Sequence, residues 1–304
     1  MKILIVGLGS IAQKHINAIM KLMPAAEIVA LRHSGNSSPY KGIRSVYSWN
    51  EIDFFPYFIL ISNPTSEHAA TIKKALDFKC PLFIEKPSLN KLDDANELLG
   101  IIKTNKIITY TGCDMRFHPA LQFIKTYLIE NRPIINEVNS YCGSYLPDWR
   151  KNVDYKTVYS AIPELGGGVH LDLIHEPDYC YWLFGKPVSS NNYFRNKSDL
   201  NIDAFDYANI IWEYENFSIS IILNYYRRDV KRTLEIVTSQ TTLMVDFILG
   251  TVSNTEGNIL YRTQSDTRDI YEMQMSHFIN CINQKKDSIN TFEESVEILK
   301  TLLK

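Results

Sequence analysis

Apolar and polar positions change rhythm once along this chain. Up to about residue 112, short runs that are apolar on both faces alternate with longer stretches of helical periodicity. The runs "KILIVG", "EIVALR", "YFILIS", "PLFIEK" and "KIITYTG" have strand length. Between several of them lie "SIAQKHINAIMKLM", "SEHAATIKKALDF" and "LDDANELLGIIKTN", which are helix-like. This alternation predicts an α/β domain with a parallel, doubly wound sheet covered on both sides.

After a helix expected near 118–131, strands and turn signals dominate. "NEVNSYCGSYL" reads as a strand. "DYANIIWEYENFSISIILNYYRR" reads as a hairpin turning at Glu215-Asn216, and "RTLEIVTSQTTLMVDF" as another turning near Ser239-Gln240. "NILYRT" follows, then two helical stretches, "EMQMSHFINCINQKK" and one after Thr291. Strands joined by hairpins are antiparallel. Two domains are therefore expected, 1–112 and 113–304, the second an α/β domain with a large, mostly antiparallel sheet.

Composition narrows the picture. The 304 residues suffice for two cores, and 45% hydrophobic with 22% charged residues is ordinary for a globular protein. A net charge of −2 gives no electrostatic reason to expect nucleic acid or an anionic membrane. Five scattered cysteines without a C-x-x-C pair read as reduced thiols. The apolar start "MKILIVGLGS" is interrupted by glycines before it reaches signal-peptide or membrane-spanning length. A soluble, cytoplasmic protein is expected, with no membrane or nucleic-acid partner.

The first candidate chemistry is "ILIVGLGSIAQKH", which spells Gly7-x-Gly9-x-x-Ala12 between a predicted strand and helix. Gly7 allows a tight turn, Gly9 lets backbone approach a pyrophosphate, and Ala12 lets the helix pack closely. Ser10 and Ile11 open a helix whose free N–H groups suit phosphates. The end of the second predicted strand, where an acid would hold the ribose of NAD, carries Arg32, His33 and Ser34 instead. Arg and Ser suit a 2′-phosphate, so NADP is favoured over NAD. Arg32 stacking on adenine, with NAD bound, is the alternative.

The second is "GGGVHLDLIHEPDYCYWLFG". H-E-x-x-H would need a histidine where Tyr179 stands, and the spacing of His170, Asp172 and His175 demands no zinc geometry, so no metal is expected. On a continuous helix, Asp172 and His175 lie side by side, a carboxylate orienting a proton-exchanging imidazole. The bland alternative is a cap and a core histidine. The preceding glycines permit close approach of a ligand. Pro177 makes a helix running straight through kink or restart, which places Glu176 and Asp178 near a helix start.

Just upstream, Trp149, Arg150, Tyr155 and Tyr159 fit either a loop that stacks a sugar and holds an anion or one packed on the sheet. Arg227 and Arg228 end a strand and are further candidates for reading an anionic substrate.

Several segments together, "GLGSIAQKH", "ISNPTSEHAATIKKAL", "FIEKPSLN", "TGCDMRFHPAL" and the glycine-to-histidine block, resemble the glucose–fructose oxidoreductase and inositol dehydrogenase (Gfo/Idh/MocA) family. "GSYLPDWR", "DYKTVYSA" and "ELGGG" are most similar to members of bacterial sugar and surface-polysaccharide pathways. The resemblance implies a Rossmann domain followed by an α/β domain often used for oligomer contacts, hence a homo-dimer or homo-tetramer. It also implies NAD(P)-linked oxidation or reduction of a sugar, sugar derivative or nucleotide sugar. It puts the catalytic lysine at Lys86, cofactor contacts at Asn63, Pro64, Thr65 and His68, and Glu85, Pro87 and Arg116 around the nicotinamide. Lys86, Arg116, Trp149, Arg150, Tyr159, Asp172 and His175 would face the substrate. The usual family spacing has the histidine four residues after the aspartate; here it is three.

Two other functions fit the same residues. One is a non-redox, cofactor-binding regulatory or scaffold protein, since fold does not fix function. The other is an enzyme that uses a bound dinucleotide transiently, for hydrolysis or epimerisation.

Overall fold

The computed structural model describes residues 1–33, 40–264 and 269–303. Residues 1–113 and 268–299 form one compact unit, and 114–267 with 300–304 a second. The helices after residue 269 thus pack mostly with the first unit, although they follow the second in sequence.

The first unit is built on a six-stranded parallel sheet: β1 (Lys2–Val6), β2 (Glu27–Leu31), β3 (Arg44–Val46), β4 (Ile59–Ile61), β5 (Leu82–Ile84) and β6 (Thr109–Thr111). Their order is β3-β2-β1-β4-β5-β6. The strand order reverses between β1 and β4, the switch point where such sheets leave a crevice at the carboxyl ends of the strands. Helices α1 (Ser10–Leu22), α2 (His68–Ala75) and α3 (Ala95–Asn105) alternate with these strands. Strand β3 was not expected: "RSV" is three residues long, opens on an exposed arginine and sits at the sheet edge, so it lacks an apolar run.

The second unit begins with α4 (Pro119–Asn131) and the central strand β7 (Ile135–Tyr145). After α5 (Val169–Asp172) and α6 (His175–Phe184) come β8 (Ser189–Arg195), β9 (Tyr207–Glu213), β10 (Ser218–Asn224), β11 (Tyr226–Thr238), β12 (Thr242–Asp246), β13 (Thr251–Ser253) and β14 (Ile259–Arg262). The sheet order is β14-β13-β12-β11-β7-β10-β9-β8. Both expected hairpins form, β9 with β10 and β11 with β12. All neighbours are antiparallel except β7 and β10, which run parallel. The unexpected β8, "SSNNYFR", alternates exposed and half-buried positions and has almost no apolar face.

Helices α7 (Ile270–Gln284) and α8 (Phe292–Leu302) close the chain. Phe278 of α7 is fully buried, with ring centroids 5.3 Å from Phe58 and 5.5 Å from Phe83. No helix among the described residues is long and apolar enough to cross a membrane.

Candidate functional site

The glycine turn forms as its spacing requires. Gly7 follows β1 with φ +87°, and a Cβ there would lie 2.7 Å from the Asn63 amide nitrogen. Only glycine fits a left-handed turn pressed against the β4 loop. Gly9 is the N-cap of α1, and a Cβ on it would point into open space. No side chain caps this helix and no acid occupies its first turn, so its free N–H groups are left for an anion. Gly9 and Ser10 are exposed, Ile11 is half-buried and Ala12 is fully buried against the sheet.

Above these strand ends opens a cleft of about 880 Å³. Among the residues singled out in the sequence, Gly7, Arg32, His33, Asn63 and Pro64 line it. Ser34 lies outside the described residues. Tyr47, Trp49, Thr71 and Lys74 also line it and were not anticipated. Tyr47 and Trp49 follow the unrecognised β3, and the aromatic pair in "VYSWNE" was the available signal. Asn63 donates to Thr71 Oγ1 at 2.8 Å and to Glu67 Oε2 at 3.0 Å, while its buried Oδ1 has no partner. An unsatisfied acceptor on the wall of a polar cleft suits a ligand that carries donors. The cleft, the open helix start and this acceptor fit a dinucleotide.

Thr65 and His68 play a different part. Thr65 is buried, and His68 is 1% exposed. His68 Nδ1 lies 3.0 Å from the Pro87 carbonyl and 3.2 Å from that of Ser88; Nε2 is 3.0 Å from the Asn63 carbonyl. The ring therefore ties the cleft loop to the loop after β5. Burial pulls its pKa below the usual imidazole range, against the carbonyls that raise it.

Lys86 stands in that second loop. It is half-buried, and its backbone N–H donates to Glu85 Oε2 at 3.2 Å. The Lys86–Pro87 peptide is cis. Glu85, expected beside the nicotinamide, sits 7% exposed with Oε1 2.5 Å from Nε2 of the fully buried His15.

In the second unit, the glycine block feeds two short helices instead of one. Helix α5 ends at Asp172, Leu173 leaves helical geometry at φ −97° and ψ 35°, and α6 starts at His175. Pro177 accounts for the break: its ring would clash with the carbonyl four residues back, that of Leu173, yet it is tolerated in a first turn. Glu176 and Asp178 fall in that first turn, as expected. Asp172 and His175 therefore do not share one helical face, as they would on a continuous helix. His175 Nδ1 lies 3.7 Å from Asp114 Oδ1.

Asp172, 5% exposed, instead gathers hydroxyls. Tyr159 donates to Oδ1, while Ser160 at 2.7 Å and Tyr225 at 3.1 Å donate to Oδ2. Burial and the neighbouring carboxylate hold the Tyr225 phenol well above its ordinary pKa. The glycines also serve the chain itself: a Cβ on Gly167 would lie 2.1 Å from the Tyr159 carbonyl oxygen. The close approach read as room for a ligand is here an approach of backbone to backbone.

Other candidates turn inward. Arg116 is fully buried and forked onto Asp178, Nε to Oδ2 at 2.9 Å and Nη2 to Oδ1 at 2.8 Å. Such a bidentate pair satisfies two buried charges at once. His170 is wedged between Phe194 and Phe205, at 4.7 and 5.5 Å. Trp149 donates to Ser144 Oγ at 2.9 Å, and Tyr155 to the Leu200 carbonyl at 3.0 Å, which favours the packed-loop reading for both. Arg150 lies over the Tyr159 ring at 5.5 Å. Arg227 and Arg228 meet the phenols of Tyr141 and Tyr145, at 3.2 and 3.0 Å.

Comparison with known proteins places these features. Residues 1–112 match the oxidoreductase family's NAD-binding Rossmann fold, and residues 128–303 its C-terminal alpha/beta domain. The uncharacterized oxidoreductase YrbE of Bacillus subtilis is 27% identical over 72% of this chain and 65% of its own length. The scyllo-inositol 2-dehydrogenase (NAD+) of the same organism is 21% identical over 94% of this chain and 87% of its own. The structure of UDP-N-acetylglucosamine 3-dehydrogenase GnnA from Acidithiobacillus ferrooxidans superposes with a TM-score of 0.80 at 17% identity, covering 100% of this chain and 95% of that one. With both domain descriptions matched in order, the chain belongs to the Gfo/Idh/MocA oxidoreductase family.

Proposed function

We propose that the protein is an NAD(P)-dependent oxidoreductase acting on a sugar, sugar derivative or nucleotide sugar, in carbohydrate or surface-polysaccharide biosynthesis. The observation that carries this reading is the cleft at the β1/β4 switch point, walled by Gly7, Arg32 and Asn63. The names of the two dehydrogenases above point to the substrate class. NADP is favoured over NAD, because Arg32 and His33, which line the cleft just after β2, stand where an acid would read a ribose hydroxyl.

When bound, the dinucleotide supplies the hydride-exchanging carbon. The free N–H groups at the start of α1 would hold its phosphates, and Asn63 Oδ1 would offer it an acceptor on the cleft wall. Lys86 donates from Nζ to the reacting substrate oxygen and steadies the developing alkoxide. His175 exchanges the hydroxyl proton, with Asp114 beside its ring. Asp172 holds Tyr159 in place, and through it the loop expected to contact substrate. The open face of the eight-stranded sheet serves a homo-dimer or homo-tetramer, to be read from solution mass.

A thermal-shift series with NAD and NADP, followed by nicotinamide absorbance with UDP-sugars, aldoses and inositols, tests the reading. A shift larger with NADP, and turnover with one carbohydrate class, is expected. Absence of any shift with either dinucleotide sinks it. Product without net absorbance change identifies transient use of the cofactor.

A further inference from the structure

We propose that His15 is a positioning residue for Lys86, acting through Glu85. The inference rests on the reading of Lys86 as the group that polarises the substrate oxygen. His15 belongs to α1, the helix whose start faces the cleft, yet its own side chain is fully buried. Its ring is walled by Phe83 at 4.7 Å and Tyr271 at 5.6 Å. Nδ1 is buried with no hydrogen-bond partner, so the ring's polar engagement is with Glu85, at 2.5 Å through Nε2.

An aliphatic side chain would fill such a site at lower desolvation cost. The polar contact that compensates the imidazole is the one to the carboxylate. With Oε1 held by His15, Oε2 is aimed at the Lys86 amide, 3.2 Å away. Gly112, just after β6, leaves the space this requires: a Cβ there would lie 2.8 Å from Glu85 Oε1. Two elements distant in sequence therefore converge on one carboxylate oxygen, and that carboxylate fixes the backbone from which Lys86 projects. His68 and Ser295 hold the following two residues, at the Pro87 and Ser88 carbonyls and the Ser88 hydroxyl. The lysine loop is thus pinned at Glu85 by His15, and at Pro87 and Ser88 by other groups.

The test compares His15→Ala, Gly112→Ala and His15→Gln in the full chain labelled with nitrogen-15 lysine. Native-state hydrogen exchange of the Lys86 amide should speed up about tenfold in the first two, the scale of one hydrogen bond. The amides of Lys79, Lys106 and Lys285, in the same unit, should keep their rates. His15→Gln, whose amide reaches the Nε2 position, should restore protection. With UDP-N-acetylglucosamine and NADP as probes, kcat should fall in step with exchange while dinucleotide affinity holds.

An unchanged Lys86 amide, or equal acceleration of all four lysines, overturns the proposal: His15 would then only secure α1 to the sheet. Lys86→Ala is measured in parallel. If it turns over like the parent, the reading of Lys86 falls, and the catalytic meaning of this contact with it, whatever the exchange rates show.

Discussion

Tyr159 donates a phenolic hydrogen bond to Asp172, a buried carboxylate thirteen positions further along the chain. With Ser160 and Tyr225 on the other oxygen, this makes Asp172 the anchor of its loop. Replacing it by Asn keeps one acceptor oxygen and turns an amide donor on the hydroxyls that met the other. Asp172→Asn should destabilise the second unit by about 2–3 kcal/mol, the loss of a charge-assisted buried hydrogen bond. Tyr225→Phe should cost about 1 kcal/mol. Denaturant titration of both variants reads the difference, and equal losses would remove Asp172 from its central place.

Lys86→Met should lower kcat by at least about a hundredfold, as expected when an oxyanion donor is removed. Dinucleotide affinity, measured by calorimetry, should stay close to the parent value. A fall in affinity with unchanged kcat would instead make Lys86 a cofactor-binding residue.

Gly7→Ala meets two obstacles, a φ of +87° and the Asn63 amide at 2.7 Å. The turn and the β4 loop must separate. The dinucleotide-induced thermal shift should vanish, whereas Gly9→Ala, with open space at its Cβ, should weaken binding without destabilising the free protein.

Arg116→Met leaves Asp178 charged and buried. Breaking such a pair costs about 3–5 kcal/mol, so the variant should melt early. A raised KM in an equally stable protein would instead show that Arg116 serves ligand binding directly.

Acid stability follows from His170. Burial lowers its pKa from 6.5 to about 4. The folded protein therefore holds this ring neutral where the unfolded chain already binds a proton. The sign is fixed: stability is fully present above pH 6.5 and is lost as pH falls towards about 4. The contribution is on the order of 3 kcal/mol. His170→Phe, set among Phe194 and Phe205, should flatten that acid limb in melting curves recorded between those limits. His118, also near 4 through burial and the nearby Arg232, continues to titrate in this variant.

The sheet framework was legible because parallel strands buried on both faces are written as apolar runs, and the glycine turn because its spacing is a backbone requirement. Strands β3 and β8 were not, since edge strands with polar or alternating faces carry no such run. The side-chain partnerships were harder still. A three-residue spacing predicts neighbours only on an unbroken helix, and Pro177, visible in the sequence, ended α5 one turn before it. Of the hydroxyls that meet the Asp172 carboxylate, Tyr159 and Ser160 are near in sequence, but Tyr225 is 53 positions away and reaches it only through the fold. Nothing local could have announced Arg116 and Asp178 as partners, or His15 and Glu85.

Phe278, packed on Phe58 and Phe83, has a bearing on synthesis. The first unit reaches its final core only when the last helices have left the ribosome. Until then the nascent sheet exposes the aromatic surface that α7 will cover, while some 150 residues of the other unit emerge in between. A fragment ending at residue 113 should be sticky in isolation, and supplying α7 in trans as a peptide should rescue its solubility. The nucleotide-binding unit thus begins before the other unit and is completed only after nearly all of it.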